Sequence, residues 1–221
     1  MRLVAVADTH LYHDELRVPA GDVFVHAGDL LRAGTLDELR RATQWLSSLP
    51  HRHKVLVAGN HDRCFELQHA VAIRLLPANI HYLQDEGVLI EGLRFWGSPW
   101  QPAYNNWAFN LERGHKLRSR WARIPTNTDI LVTHGPPLGF GDRSPVHGRH
   151  GCVDLAARVS EIRPLLHVFG HIHQDGGFWH EASTAYLNAT TWECERGPSV
   201  VDLGPDGEVV PVTVPPREAE S

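Results

Sequence analysis

The stretch 54-KVLVAGNHD-62 decides how this sequence is read. Val55, Leu56, Val57 and Ala58 form a short unbroken apolar run, and a run without polar alternation suits a strand covered on both faces. Gly59 ends the run by letting the backbone turn tightly, and an amide, an imidazole and a carboxylate follow at once as Asn60, His61 and Asp62. Polar groups gathered at the tip of a buried strand point to a site.

The same pattern recurs on both sides. Residues 1–7 form an apolar run that delivers Asp8 and His10, and residues 22–27 form another that delivers Gly28 and Asp29. Further on, residues 129–133 end at His134, and residues 167–169 end at Gly170, His171, Ile172 and His173. Between the second and third runs Thr35 and Glu38 have the spacing of a capping box. Leu36, Leu39, Thr43, Leu46 and Leu49 follow at helical intervals up to Pro50. Strand, helix, strand in this order implies a parallel crossover. Helices are also expected over residues 65–76, 110–124 and 152–162, the second with a solvated arginine face. A hairpin is expected over 87–97, turning at Glu91 and Gly92. Residues 185–187, 199–203 and 208–214 read as antiparallel strands.

At 221 residues and 42% hydrophobic content the chain can bury a full core, and one domain over residues 1–214 with a flexible tail at 215–221 is the simplest division. A net charge of -5 argues against a long nucleic-acid surface or a polybasic membrane contact. The apolar run at residues 3–7 is too short for a secretory core or a membrane span, so a cytoplasmic protein is expected. Cys64, Cys152 and Cys194 have neither paired nor CxxC spacing, which leaves no disulfide framework and no thiolate zinc site to expect.

In open α/β sheets ligands collect beyond the carboxyl ends of the strands, so groups far apart in sequence can converge there. Imidazoles and carboxylates without thiolates suit Mn, Fe or Zn, and the set is too large for a single ion. Two ions with one shared carboxylate fit better. Such a pair generates a nucleophile and neutralises phosphate charge. Asp29, a lone carboxylate after a glycine, is the natural bridge, offering one oxygen to each ion, and Asn60 adds a neutral carbonyl oxygen. His61 is the best-placed acid for a leaving alkoxide, with Asp62 expected to orient its imidazole.

The ordered blocks DTH at 8–10, GD at 28–29, GNHD at 59–62, THGPP at 133–137 and GHIH at 170–173 resemble the calcineurin-like metallophosphoesterases. WGSPWQP at 96–102, WAFN at 107–110, HGPPLG at 134–139 and HVFGHIH at 167–173 are similar to the metallophosphoesterase-domain-containing subgroup of phosphodiesterases. The resemblance implies an α/β fold, a four-layer αββα sandwich of two mixed sheets flanked by helices, with a dinuclear site at one edge. It implies that Asp8, His10, Asp29 and His173 hold one ion, that Asp29, Asn60, His134 and His171 hold the other, and that His61 donates the proton. Some members of the subgroup carry glycine where His171 stands; the histidine here implies a competent enzyme.

The expected function is therefore a phosphodiesterase acting on cyclic nucleotides or related small diesters, by attack of a metal-bridging hydroxide. Alternatives are a phosphomonoesterase or phosphoprotein phosphatase with the same ligands, and a nucleotide-binding scaffold with negligible turnover. Asn60 and His61 are expected to touch substrate, and Trp100, Trp107 or Phe140 to stack on a base, against the alternative that Trp96, Trp100 and Trp107 only cover the sheet. The loop over 135–151 has the length of a lid or substrate contact, and phosphate contact by His147, Arg149 and His150 is the alternative to a plain loop role for these residues. His26 is expected to be packed.

Overall fold

A computed structural model describes residues 1–146 and 148–216. In chain order the elements are β1 (Arg2–Val6), β2 (Val23–Ala27), α1 (Leu36–Ser48), β3 (His53–Val57), α2 (Arg63–Leu67), α3 (His69–Leu75) and β4 (Ile80–Tyr82). There follow β5 (Glu86–Ile90), β6 (Leu93–Ser98), the short pair β7 (Gln101–Pro102) and β8 (Asn110–Leu111), and α4 (His115–Trp121). The remainder runs β9 (Ile130–Thr133), β10 (Arg143–Ser144), β11 (Gly148–Arg149), α5 (Val153–Ile162), β12 (Leu166–Phe169), β13 (Gly177–Glu181), β14 (Thr184–Asn188), β15 (Ser199–Leu203) and β16 (Val209–Thr213).

Two six-stranded sheets carry the fold, ordered β16-β15-β1-β2-β3-β4 and β13-β14-β12-β9-β6-β5. Both are mixed: β1 to β4 run parallel, as do β6, β9, β12 and β14, while β15, β16, β5 and β13 pair antiparallel at the edges. Alternate side chains explain why the runs read as apolar throughout. Leu3, Ala5, Val23, Val25, Val55 and Val57 face Ile130, Val132, Leu166 and Val168 between the sheets. Val4, Val6, Phe24 and Leu56 face outward onto Leu39, Ala42 and Leu46 of α1. Leu131 and Phe169 face outward onto Leu117 and Trp121 of α4 and Leu155 and Val159 of α5. The layers are helix, sheet, sheet, helix.

The capping box at α1 forms as the spacing implies, with Glu38 N–H donating to Thr35 Oγ1 at 3.2 Å and Thr35 N–H to Glu38 Oε2 at 3.4 Å. The hairpin at Glu91 and Gly92 turns on positive φ angles of 48° and 85°. Several expectations change. The helix over 65–76 is two helices broken at Gln68, whose φ is -135°. His69 gives its ring Nδ1 to the Phe65 carbonyl at 3.2 Å, the acceptor that its peptide N–H would use in an unbroken helix. The helix over 110–124 starts only at His115, because Asn110 and Leu111 pair with Gln101 and Pro102. Gly114, at φ 85°, then sends its N–H to Asp154 at 3.0 Å. Nor is the arginine face simply solvated: Arg120 and Arg123 reach the buried carboxylate of Asp85 at 3.0 and 3.1 Å. Near the C-terminus β13 is an addition to the expected strands, and β14 is parallel to β12 on one side while antiparallel to β13 on the other. Pro215 and Pro216 are tied back by Arg196 at 2.8 and 2.6 Å, whereas residues 217–221 of the expected tail lie outside the described residues. No helix among the described residues is long and apolar enough to cross a membrane.

Two fully buried histidines brace the strand ends. His26 Nε2 lies 3.0 Å from Thr9 Oγ1, and His167 Nε2 lies 2.9 Å from Thr133 Oγ1. Thr133 gives its own hydrogen to the Gly135 carbonyl, so His167 donates from Nε2, leaving a bare Nδ1 that has no hydrogen-bond partner. Burial pushes both pKa values down to about 3. The unfolded chain, with histidine near 6.5, then takes up these protons first as pH falls; their stabilising contribution is full above about pH 6.5 and is lost toward pH 3. Each histidine should steepen acid destabilisation by about 1.4 kcal/mol per pH unit. Urea unfolding between pH 7 and 5 should accordingly show a shallower loss of stability for His167→Gln than for the native chain, and parallel slopes would refute the neutral assignment.

Candidate metal centre

Five strand ends meet along one edge of the sandwich: β1 brings Asp8 and His10, β2 brings Asp29, β3 brings Asn60 and His61, β9 brings His134, and β12 brings His171 and His173. The chain reaches this edge in strained turns. Asp8, His10, Asp29 and His171 all have left-handed backbones, with φ of 57°, 43°, 55° and 72°. Gly28 (φ 98°) and Gly59 supply room, since a Cβ at either would run into His134 or Asp29.

Peptide N–H groups hold the carboxylates. His171 N–H lies 3.1 and 3.0 Å from the two oxygens of Asp8, and His61 N–H donates to Asp29 Oδ1 at 2.7 Å. That leaves Asp29 Oδ2 as the oxygen facing both histidine sets, 3.3 Å from His134 Nε2 and 3.8 Å from His10 Nε2. The sequence suggests one Asp29 oxygen for each ion; here Oδ1 is engaged by the His61 peptide, and Oδ2 is the oxygen turned toward both histidine sets.

The imidazoles are oriented from behind. His134 Nδ1 meets the Ala27 carbonyl at 3.0 Å, which places a hydrogen on Nδ1 and turns Nε2 inward. Around that Nε2 lie Asn60 Oδ1 at 2.9 Å, His171 Nδ1 at 3.2 Å and Asp29 Oδ2 at 3.3 Å. Donors each roughly 2.1 Å from one ion sit roughly 3.0–3.5 Å from one another, so this is the spacing of a coordination shell. On the other side His173 Nε2 is 3.7 Å from Asp8 Oδ1, and the candidate ligand atoms of Asp8, His10 and His173 lie within 4.8 Å of one another. The same limit joins Asp29, His134 and His171, and also His10, Asp29 and His61. The residues present thus fit two adjacent ions with Asp29 between them.

Protons fill part of that demand. Against the cost of burial, the charges of His173 and His134 hold Asp8 and Asp29 respectively well below the usual carboxylate range. Against burial again, Asp29 raises His134 to about 9 and Asp8 raises His173. Burial lowers His10, and burial with the nearby His134 lowers His171 to about 3. A pocket that charges some imidazoles beside its carboxylates has the negative potential a cation would satisfy.

His61 is set apart. Its Nδ1 lies 2.7 Å from the Arg32 carbonyl, its ring packs against Trp107 at 4.1 Å with a 30° tilt, and the edge of His10 meets it at 4.6 Å. Asp62 does not orient this imidazole, contrary to expectation. Its carboxylate turns inward and accepts the N–H groups of Gly59 and Leu31, each at 2.8 Å, and of Leu30 at 3.3 Å, fixing the β2 and β3 turns to each other. Burial and the charge of Asp29 raise Asp62 to about 7. The Arg32 carbonyl takes the orienting role, and no sequence signal marks a main-chain oxygen.

Of the aromatic candidates, Trp107 is at the site through His61. Trp100 is committed elsewhere: its Nε1 donates to Asp85 at 2.9 Å and its ring lies under Arg120 at 4.2 Å. Phe140 stacks on Tyr186 at 4.0 Å. In the 135–151 loop Arg149 pairs with the buried Asp142, which also accepts the N–H of Gly139 at 3.1 Å, so this loop is internally tied. His147 lies outside the described residues.

Comparison with known proteins agrees with this geometry. The family model described as calcineurin-like phosphoesterase matches residues 1–175. Metallophosphoesterase domain-containing protein 1 of Homo sapiens is 40% identical over 230 aligned residues, covering 91% of this chain and 71% of that protein. A UPF0046 protein of Caenorhabditis elegans is 35% identical, covering 89% of this chain and 71% of that one. Among solved structures, one from Thermus thermophilus superposes with a TM-score of 0.63 at 15% identity, covering 95% of this chain and 97% of its own, a likeness of fold. Sequence family and fold agree, and the chain belongs to the calcineurin-like phosphoesterases, metal-dependent phosphoester hydrolases with a dinuclear metal site.

Proposed function

We propose that this hydrolase is a phosphodiesterase acting on cyclic nucleotides or related small phosphodiesters. The observation that carries the reading is the setting of His61. Because Nδ1 gives its hydrogen to the Arg32 carbonyl at 2.7 Å, the imidazolium form of His61 carries its transferable proton on Nε2, which passes to a departing alkoxide and leaves a neutral ring. Beyond it lies an open groove of about 580 Å³ lined by Arg32, Ala33, Arg63, Asn105, Asn106 and Trp107, with room for the second ester substituent that distinguishes a diester.

In this reading Asp8, His10, Asp29 and His173 hold one ion, and Asp29, Asn60, His134 and His171 hold the other. When bound, two such ions (Mn, Fe or Zn) lower the pKa of water from about 16 to roughly 7 and neutralise charge on the phosphate. The chain's own part is placement. Asp29 is kept from rotating by the His61 N–H on Oδ1 at 2.7 Å, so Oδ2 stays in the shared position. Asn60 presents its carbonyl oxygen beside His134 at 2.9 Å, where it would serve as a neutral ligand. His61, packed between His10 and Trp107, keeps its acid nitrogen at the leaving-group side. Asp62 serves by locking the Gly59 turn, and thus the direction in which Asn60 and His61 leave β3.

The protein loaded with manganese should hydrolyse bis(4-nitrophenyl) phosphate with a higher kcat/KM than 4-nitrophenyl phosphate; the reverse order would favour a phosphomonoesterase, and no turnover of either at full loading would favour a nucleotide-binding scaffold. His61→Ala should lower kcat by about 10²–10⁴-fold on esters with alkyl leaving groups. Metal analysis of the same variant should still find about two ions per chain. Undiminished turnover of alkyl esters would remove His61 as the acid.

A further inference from the structure

The groove beside His61 has a chemistry of its own. Two of its six lining side chains are arginines and none is acidic, in a chain whose net charge is -5. Neither Arg32 nor Arg63 forms an ion pair with a carboxylate among the described residues. Nearby carboxylates are turned away to peptides: Glu38 accepts the N–H groups of Ala33 and Gly34 at 2.9 and 2.8 Å, and Glu66 accepts that of Phe109 at 3.1 Å.

Each guanidinium is anchored by a neutral group. Arg32 donates to the Tyr12 hydroxyl at 3.2 Å, and Arg63 donates from one terminal nitrogen to the Asn106 carbonyl while its carbon lies 5.6 Å from the Trp107 ring centroid. A guanidinium has five N–H donors in a planar fork, so both side chains are positioned yet keep donors to spare. The Arg63 Nε is buried without a hydrogen-bond partner.

The position of the groove says which part of a substrate enters it. Arg32 supplies the carbonyl that holds His61, Trp107 supplies the ring that packs against it, and both line the groove. A proton donor stands on the leaving-group side of phosphorus, so the groove next to it receives the departing alcohol. We infer that Arg32 and Arg63 form a subsite for an anionic group carried by that alcohol, making the preferred substrate a phosphodiester whose leaving group bears a second phosphate-like charge. This inference rests on the phosphodiesterase reading above.

Two aryl methyl phosphates with comparable leaving groups test it: phenyl methyl phosphate, and its analogue with a non-hydrolysable phosphonomethyl group at the ring 4-position. The manganese-loaded native chain should favour the phosphonomethyl ester by about tenfold or more in kcat/KM, the size of one charge-assisted contact. Arg63→Gln and, independently, Arg32→Gln should each bring that ratio down severalfold, with the loss in KM. A ratio near one in the native chain, or one unmoved by both substitutions, overturns the subsite. The free alcohol 4-(phosphonomethyl)phenol gives a second readout by calorimetry on the same protein. Its affinity should fall about tenfold in Arg63→Gln. Binding that is insensitive to both arginines overturns the proposal, as does absence of binding. If neither diester is turned over, the phosphodiesterase reading fails on its own, and the calorimetric comparison still decides the groove.

Discussion

Two carboxylates, each clamped by a peptide N–H from another strand end, are what the rest of this site depends on. His171 N–H reaches Asp8 across the two sheets, at 3.0 Å from the nearer oxygen, and His61 N–H reaches Asp29 between neighbouring strands at 2.7 Å. Charge-assisted hydrogen bonds of this kind are stronger than neutral ones, and here they have strain to offset. Left-handed backbone at Asp8, His10, Asp29 and His171 costs on the order of 1–3 kcal/mol at each position. Backbone hydrogen bonds add to the clamp, with Asp8 N–H donating to the Gly28 carbonyl at 2.9 Å and His10 N–H to the Asp29 carbonyl at 3.1 Å. The sandwich's two sheets are joined at the site edge by the groups that carry its charge.

A common device supports both sheets. His26 and His167, on β2 and β12, each use one ring nitrogen to hold a threonine, Thr9 or Thr133, that directly adjoins a candidate ligand. Burial holds them neutral, whereas His134 and His173, in closer contact with carboxylates, are driven toward the charged form. His134 is as fully buried as His26 and His167, and what separates it from them is the carboxylate beside its ring. The histidines of this sequence are therefore not one population.

The site was legible in the sequence to the extent that it was local. Each candidate ligand follows an apolar run that must be a strand with both faces covered, and glycine at 28, 59 and 170 marks where the backbone has to approach a neighbour closely. Thr35 and Glu38 announced α1 because a capping box closes within one turn. What could not be read depends on distant partners. Asp62 stands next to His61 in sequence, but its carboxylate is taken up by the N–H groups of Leu30 and Leu31. The break at Gln68 follows from a ring nitrogen taking a main-chain acceptor, which leaves the apolar periodicity intact. The late start of α4 follows from Asn110 and Leu111 pairing with β7, and the inward turn of Arg120 and Arg123 follows from Asp85, remote from both.

The distribution of charge links this architecture to its chemistry. Folding buries Asp8 and Asp29 in a place where an unpaired carboxylate would be costly, and the protons on His134 and His173 supply the compensating charge. A divalent ion held by the same donors would supply positive charge to these carboxylates in place of the proton on His134 Nε2, with the Nδ1 hydrogen still donated to the Ala27 carbonyl. Ion binding would thus compete with protons for donors that already stand at the spacing of a coordination shell. The strained turns that give this edge its shape are stabilised by peptide hydrogen bonds in the fold, and bound cations would add to that hold.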